Sequence, residues 1–170
     1  MGGKGMIPLF VRMTEKKVVI AGGGQIAYRR LLPLLHEGAH ITVISPEVID
    51  EIVHLAQQQQ ITWHAREIEP NDYADAFLII AATNDPNVNE QIATYAAPNQ
   101  LVNVASHHLL GNVHVPAFFS RGKLQIAITT GGASPTLAKQ IKKQLEQIFD
   151  ESIAEYIDEL YEQRQQRKEP

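Results

Sequence analysis

Apolar and polar positions along this chain alternate between two periods. Lys17-Val-Val-Ile-Ala-Gly22 is a short apolar run closed by glycines, the sign of a buried strand. After it Ile26, Leu31, Leu32, Leu34 and Leu35 recur at helical spacing until Gly38 stops the helix, with Pro33 an irregularity inside it. His40 to Ile44 alternates as a second strand and ends at Ser45-Pro46. Val48 to Gln59 reads as a helix, Ile61 to Arg66 as a third strand, and Ala76 to Thr83 as the most apolar strand of all. Pro86 opens a helix to about Ala97, and Leu101 to Ala105 is a fifth strand. Strands alternating with helices demand right-handed crossovers and a parallel sheet covered on both faces. The first 105 or so residues are thus predicted to form one doubly wound α/β unit.

The pattern then changes. His114 to Ser120 and Lys123 to Thr129 are strand-like runs separated by Arg121-Gly122, which reads as a hairpin turn. Ser134 suits the N-cap and Pro135 the first position of a helix whose apolar face is Leu137, Ile141, Leu145 and Ile148. A further amphipathic helix carries Phe149, Ile153, Tyr156, Ile157 and Leu160. A hairpin and two helices make too small a core to stand alone, so they are expected to pack on the first unit or on another subunit. The polar tail from Arg164 is expected to fray, and the opening MGGKG reads as a disordered start or a cloning remnant.

Composition narrows the chemistry. The 170 residues are 44% hydrophobic and 20% charged, which argues against a disordered or fibrous chain. With no cysteine, a thiol nucleophile, Cys-ligated zinc and iron–sulfur clusters are excluded. The longest apolar runs are much shorter than a bilayer requires and no signal-peptide pattern precedes them, so a cytoplasmic protein without a membrane partner is expected. A net charge of -4 points away from nucleic acid. Its distribution says more: Gln91 to Leu145 holds no acid but five cations, Arg121, Lys123, Lys139, Lys142 and Lys143, which suggests a face that meets an anion.

Gly22-Gly23-Gly24-Gln25-Ile26-Ala27 contains the G-x-G-x-x-A fingerprint of dinucleotide binding, between a strand and a helix near the start of a βαβ unit. Gly22 permits the tight turn, Gly24 lets backbone amides approach a pyrophosphate, and Ala27 allows close helix–strand packing. The unit is therefore expected to be Rossmann-like. At the end of the second strand, Ser45, Pro46 and Glu47 are the candidates for the ribose. No Arg or Lys follows closely to hold a 2′-phosphate, which favours NAD over NADP. Thr83-Asn84 ends the fourth strand, where ligands sit in open α/β sheets, and also reads as a turn before a helix.

Among the histidines, His36 and His40 have i, i+4 spacing, but Gly38 between them separates the pair, and no metal site is expected. His54 and His64 are isolated. His107-His108 lies just past the fifth strand; if the chain stays extended, Ser106 and His108 share one side and His107 takes the other. Imidazole titrates near neutrality, so either can move a proton.

Taken in order, the glycine loop, the Ser45-Pro46 strand end, Ala81-Ala-Thr-Asn-Asp85, Leu101-Val-Asn-Val104 and Gly131-Gly-Ala-Ser-Pro135 make the chain resemble the precorrin-2 dehydrogenases of sirohaem biosynthesis. That family includes enzymes that also act as sirohydrochlorin ferrochelatases. The resemblance spans Ile7 to about Phe149 and implies an NAD-binding domain over 6–112, a dimerisation and substrate region over 113–148, and a C-terminal helical segment over 149–170. It implies a homodimer that oxidises precorrin-2 to sirohydrochlorin with NAD, the hydride passing near Thr83 and Val104. The substrate is an anionic tetrapyrrole with about eight carboxylates, and Arg121, Lys123, Ser134 and Lys139 are its expected contacts. Lys139 stands where family members carry a basic residue. After Asn-Val-x, where the family has an acid/base aspartate, this chain has Ser106. An unassisted serine is no base, so His108, His107 or water is expected to take the proton. Two other classes of function compete: a non-catalytic NAD-sensing module, and a chelatase that inserts iron through histidine ligands.

Overall fold

Five short runs of β-branched and aliphatic residues, too apolar to face water on either side, set the architecture. In the computed structural model, which describes residues 5–167, they are β1 (Lys17–Ala21), β2 (His40–Ile44), β3 (Thr62–His64), β4 (Leu78–Ala81) and β5 (Leu101–Val104). All pair in parallel, in the order β3-β2-β1-β4-β5, with Ile20 level with Val43 on one side and Ile80 on the other. The order reverses at β1, so the C-terminal ends of β1 and β4 flank a topological switch point, the usual place for a ligand in such sheets. The helices α1 (Gln25–His36), α2 (Asp50–Gln57) and α3 (Pro86–Tyr95) connect the strands. The chain divides into two compact units, Met1–His114 and Val115–Pro170.

Alternation along each strand sends side chains into two cores. Val18, Ile20, Ile41, Val43 and Ile80 meet Ala27, Leu31 and Ile52 on one face; Val19, Ala21, Ile79, Ala81 and Val102 meet Ile92 on the other. Each large side chain so buried stabilises the fold by about 1.5–3 kcal/mol. Pro33 stands inside α1 and removes one backbone bond, to the Arg29 carbonyl, without ending the helix.

Side-chain amides, buried at Gln100 and Asn103 and exposed at Asn112, finish what the apolar residues start. Gln100 donates from Nε2 to the carbonyls of Tyr73 (2.6 Å) and Ala76 (2.8 Å) and accepts from Ala97 N at 2.8 Å. Asn112 accepts from Val102 N (2.7 Å) and donates to the Gln100 carbonyl (2.8 Å), while Asn103 Nδ2 donates to the Val113 carbonyl (2.8 Å). Residues 111–113 therefore lie along the outer edge of β5 and cover a row of groups that would otherwise be open to another strand.

Most elements are shorter than their apolar runs. Strand β3 pairs with β2 over three residues only, and α2 starts at Asp50 because Ile49 N donates to the Gly23 carbonyl (2.9 Å), holding Val48 and Ile49 in the loop.

In the second unit the hairpin β6 (Ala117–Arg121) and β7 (Leu124–Ile128) is followed by α4 (Pro135–Ile148) and α5 (Ser152–Gln166). Phe119, paired with Ile126, is 5% exposed, whereas Phe118 on the opposite face is 42% exposed. Three expectations are corrected here. The turn is Gly122-Lys123, one residue later than anticipated, because Arg121 pairs with Leu124 and Gly122 takes the left-handed φ of 54°. Residues 114–116 stay outside β6, Pro116 having no N–H to give a ladder. The tail remains helical from Arg164 to Gln166; its last residues, 168–170, and the anticipated loose start over 1–4 lie outside the described residues.

After β3, Arg66 grips Asp72 with two bonds of 2.5 and 2.7 Å, and Asp72 also accepts from Glu69 N at 2.7 Å. The Arg66 hydrogen bonds hold the Asp72 carboxyl below the usual carboxylate range, with the Glu69 amide adding to the effect. A lowered native value contributes stability in full above the unfolded value of about 4 and loses it as pH falls through the native one. Asp72→Asn is expected to be less stable than the parent at pH 7 by about 1 kcal/mol, a figure that allows for screening at half-exposed Arg66. The two stability curves should converge as pH falls through the lowered native value of Asp72, as read by thermal unfolding from pH 7 to 2.

Candidate functional site

The exit of β1 is built against its neighbours' backbones. Gly22 donates its N–H to the Ile44 carbonyl (3.0 Å) and has φ 111°; a Cβ there would stand 2.3 Å from the Ala82 carbonyl oxygen. A Cβ on Gly23 would stand 2.2 Å from the Glu47 carbonyl oxygen. These two glycines are demanded by the protein itself. Gly24 is not: its backbone is extended and, among the described residues, nothing beyond its chain neighbours lies within 4 Å of where its Cβ would be. It is the N-cap of α1, with no side-chain cap and no acid in the first turn. The helix therefore offers its first backbone N–H groups and the positive end of its dipole to open space that a side chain would fill. An anion such as a pyrophosphate fits this cradle. Gln25 and Ile26 flank it on the exposed side, Gln25 Nε2 reaching Glu51 at 3.4 Å, while Ala27 is buried against the sheet.

At the exit of β2, Ser45 donates from Oγ to the Glu47 carbonyl (2.7 Å), so its hydroxyl proton belongs to the loop. Trp63 Nε1 donates to the Ser45 carbonyl at 3.0 Å. Pro46 and Glu47 are exposed, and the contact of the Glu47 backbone with Gly23 brings that residue beside the glycine loop.

The exits of β4 and β5 are joined by a residue that periodicity does not single out. Asn89, near the start of α3 and only 1% exposed, accepts from Thr83 N (3.1 Å) and Thr83 Oγ1 (2.9 Å) and donates to the Thr83 carbonyl (3.1 Å). The sole sequence signal was its position three residues before Ile92 on the buried side of α3. Asn84 is exposed, and Asp85 caps α3 by accepting from Asn87 N at 2.8 Å. Val104 is 4% exposed and sits in the core, so only its backbone is available at the edge.

Past β5 the chain turns rather than staying extended: His107 N donates to the Val104 carbonyl (3.4 Å) and Leu110 N to the His107 carbonyl (3.1 Å). The alternating-side placement of Ser106, His107 and His108 is thereby lost. All three are exposed. The rings of His107 and His108 stack with centroids 6.1 Å apart, and His114 meets His108 edge-on at 6.4 Å while donating from Nε2 to the His108 carbonyl (2.7 Å). His107 Nδ1 accepts from Leu109 N at 3.3 Å, so its remaining nitrogen carries the proton in the neutral ring. The ring nitrogens of His108 hold no hydrogen bond among the described residues, and it is the better placed of the two to accept a proton. His40 is separate from His36, paired instead with Glu15 at 2.8 Å.

In the second unit two of the expected substrate cations are already matched. Arg121 Nε lies 3.1 Å from Glu151, and Lys123 pairs with Asp158, which raises its ammonium above the ordinary lysine value, and lies over the Tyr161 ring. Lys142 pairs with Glu146 at 3.1 Å. Lys139 and Lys143, four apart on the exposed side of α4, have no ion pair among the described residues. Ser134 accepts from Leu137 N at 3.1 Å and caps that helix.

Comparison with known proteins follows the same division. A family described as NAD(P)-binding matches residues 9–117, and one described as sirohaem biosynthesis protein, central, matches residues 121–148. The precorrin-2 dehydrogenase of Bacillus subtilis (strain 168) is 43% identical over 162 residues, 95% of this chain and 100% of that protein. The precorrin-2 dehydrogenase of Priestia megaterium is 41% identical over 94% of this chain and 79% of its own length. The solved structure of SirC, precorrin-2 dehydrogenase, superposes with a TM-score of 0.81 at 41% identity, covering 92% of this chain and 78% of that one.

The three glycines predict different outcomes. Gly23→Ala is expected to destabilise the fold by about 1–3 kcal/mol through its clash with Glu47. Gly24→Ala is expected to cost about 1 kcal/mol or less, yet to weaken NADH binding at least about tenfold by filling the cradle. Thermal unfolding and fluorescence titration with NADH separate the two effects.

Proposed function

The chain belongs to the precorrin-2 dehydrogenase family, and from that premise we propose that it oxidises precorrin-2 to sirohydrochlorin with NAD, the open cradle at Gly24 being the observation that carries the reading. NAD, when bound, supplies the hydride acceptor; the protein's own work is to seat it, hold the macrocycle and take the proton. The backbone of Gly22 to Ile26 cradles the pyrophosphate. Ser45, Pro46 and Glu47 line the adenosine ribose, and the carboxylate of Glu47, with no cation between Ser45 and Ile49, favours NAD over NADP. Thr83, Asn84 and the backbone of Val104 serve the nicotinamide end.

The substrate loses a hydride and a proton as a carbon–carbon bond becomes double, and His108 takes the proton. Ser106 is unsuited to that task, because a hydroxyl at its ordinary acidity holds its proton at neutral pH. A polycarboxylate needs cations on a protein that is acidic overall. Lys139 and the N-terminal turn of α4 at Ser134 meet that need, and Arg121 and Lys123 add to it by exchanging Glu151 and Asp158 for substrate carboxylates.

The same proposal assigns 6–112 to the cofactor, 113–148 to substrate and self-association, and 149–170 to helical support, in a cytoplasmic homodimer. The hairpin supports self-association: among the described residues β6 and β7 pair with each other and with no third strand, which leaves an outer edge on each, and Phe118, Leu137 and Ile148 of the same unit are exposed. No helix among the described residues is long and apolar enough to cross a membrane.

Anaerobic incubation with precorrin-2 and NAD is expected to yield NADH and sirohydrochlorin in equal amounts, followed by their absorbance. NAD binding without turnover would assign the chain to cofactor sensing instead. His108→Ala is expected to lower turnover by at least about 100-fold with NADH affinity retained, and unchanged turnover would remove His108 from the mechanism.

A further inference from the structure

Asn89 has no part in the steps above, yet its amide occupies the junction between the exits of β4 and β5. Its orientation is determined by Thr83: Oδ1 must face the Thr83 N–H at 3.1 Å, and Nδ2 must face the Thr83 carbonyl at 3.1 Å. A flipped amide would set donor against donor and acceptor against acceptor. Nδ2 so fixed also donates to Ser106 Oγ, at the long limit of 3.5 Å. Ser106 Oγ therefore accepts on the side facing α3, and its own proton has to leave on the other side, where Ser106 is exposed at the C-terminal edge of the sheet.

We infer that Asn89 is a positioning residue that holds Ser106 as a hydrogen-bond donor toward an oxygen acceptor of the bound molecules. The inference rests on the function proposed above and gives Ser106 a role that needs no proton abstraction. An oxygen acceptor is available on either reactant, as the carboxamide of the nicotinamide or a carboxylate of the macrocycle, and a hydroxyl donor suits both. Because Asn89 is 1% exposed and its amide is engaged by Thr83 and Ser106, its influence passes through Ser106 and through the Thr83 backbone.

The test compares Ser106→Ala, Ser106→Thr, Asn89→Asp and the double variant N89D/S106A in two assays. One is NADH titration by fluorescence; the other is kcat and KM for precorrin-2. Ser106→Ala is expected to lose about tenfold in one of them, the worth of one hydrogen bond. A loss in NADH affinity identifies the carboxamide as the acceptor, and a rise in KM for precorrin-2 with NADH affinity intact identifies a substrate carboxylate. Ser106→Thr keeps the hydroxyl and should restore most of that loss. Asn89→Asp keeps the acceptor for Thr83 N but removes the donor, so the Ser106 proton turns inward and the same roughly tenfold loss should appear. The double variant should then lose no more than either single one.

Losses that multiply to about 100-fold in the double variant would overturn the proposal, as would a Ser106→Ala protein unchanged in both assays. If Asn89→Asp does not fold, the Ala and Thr variants decide, and equal behaviour of the two counts against the donor role. A parent protein that fails to bind NADH at all would instead overturn the function proposed above, a result the same titration shows before any variant is made.

Discussion

Close contact between backbones at one edge of the sheet is the constraint from which the site follows. Where β1 leaves the sheet, the chain has to pass between the carbonyls of Ala82 and Glu47, and only residues without a side chain fit at 22 and 23. That passage sets the direction in which α1 begins, and with it the placement of the unpaired N–H groups at Gly24. The Ile49-to-Gly23 bond fastens the β2 exit to the same point. The glycine loop and the loop that follows β2 thus share one mechanical cause, and the openness above Gly24 is what remains after the protein's own packing is satisfied.

Side-chain amides govern the other half of that edge. The five parallel strands bury nearly every apolar side chain they own, but the exit of β4, the turn before it and the outer edge of β5 carry backbone groups that apolar residues cannot satisfy. Asn89 does so at the exit of β4, Gln100 for the turn that leads into β4, and Asn112 along the outer edge of β5, each bonding two or more backbone groups from a different stretch of chain. Asn89 and Gln100 are buried while Asn112 is exposed, and amides with partners on several sides cost little and restrict geometry strongly. The segment that carries Ser106, His107 and His108 lies in the chain between Val102, bonded by Asn112, and Asn112 itself, with Asn89 reaching Ser106.

Charge has a different organisation. The stretch free of acids reads as a concentrated cationic surface, yet Glu151, just before α5, and Asp158 within it return carboxylates to two of its five cations and Lys142 finds Glu146 one turn away. What stays free is on the exposed side of α4, at Lys139 and Lys143. Among the described residues, two of the five cations are thus without a competing carboxylate and three are matched within the protein.

The sequence by itself determined the parallel sheet, its three helices, the hairpin with its two following helices, and the glycine loop between β1 and α1. Each of these is a local pattern, a period of 2 or 3.6 or a run of glycines, and local patterns survive without knowledge of distant neighbours. Ser134 and Pro135 likewise mark the start of α4 because capping involves only adjacent residues. Tertiary structure alone decided the rest. The turn after Val104 breaks the alternation that grouped Ser106 with His108, Val104 is turned into the core, and Arg121 and Lys123 are paired with acids 30 and 35 positions away. Asn89 looked like any polar residue on a helix until the sheet placed Thr83 and Ser106 against it. Hydrogen bonds and ion pairs join residues by distance in space, which a one-dimensional pattern does not encode.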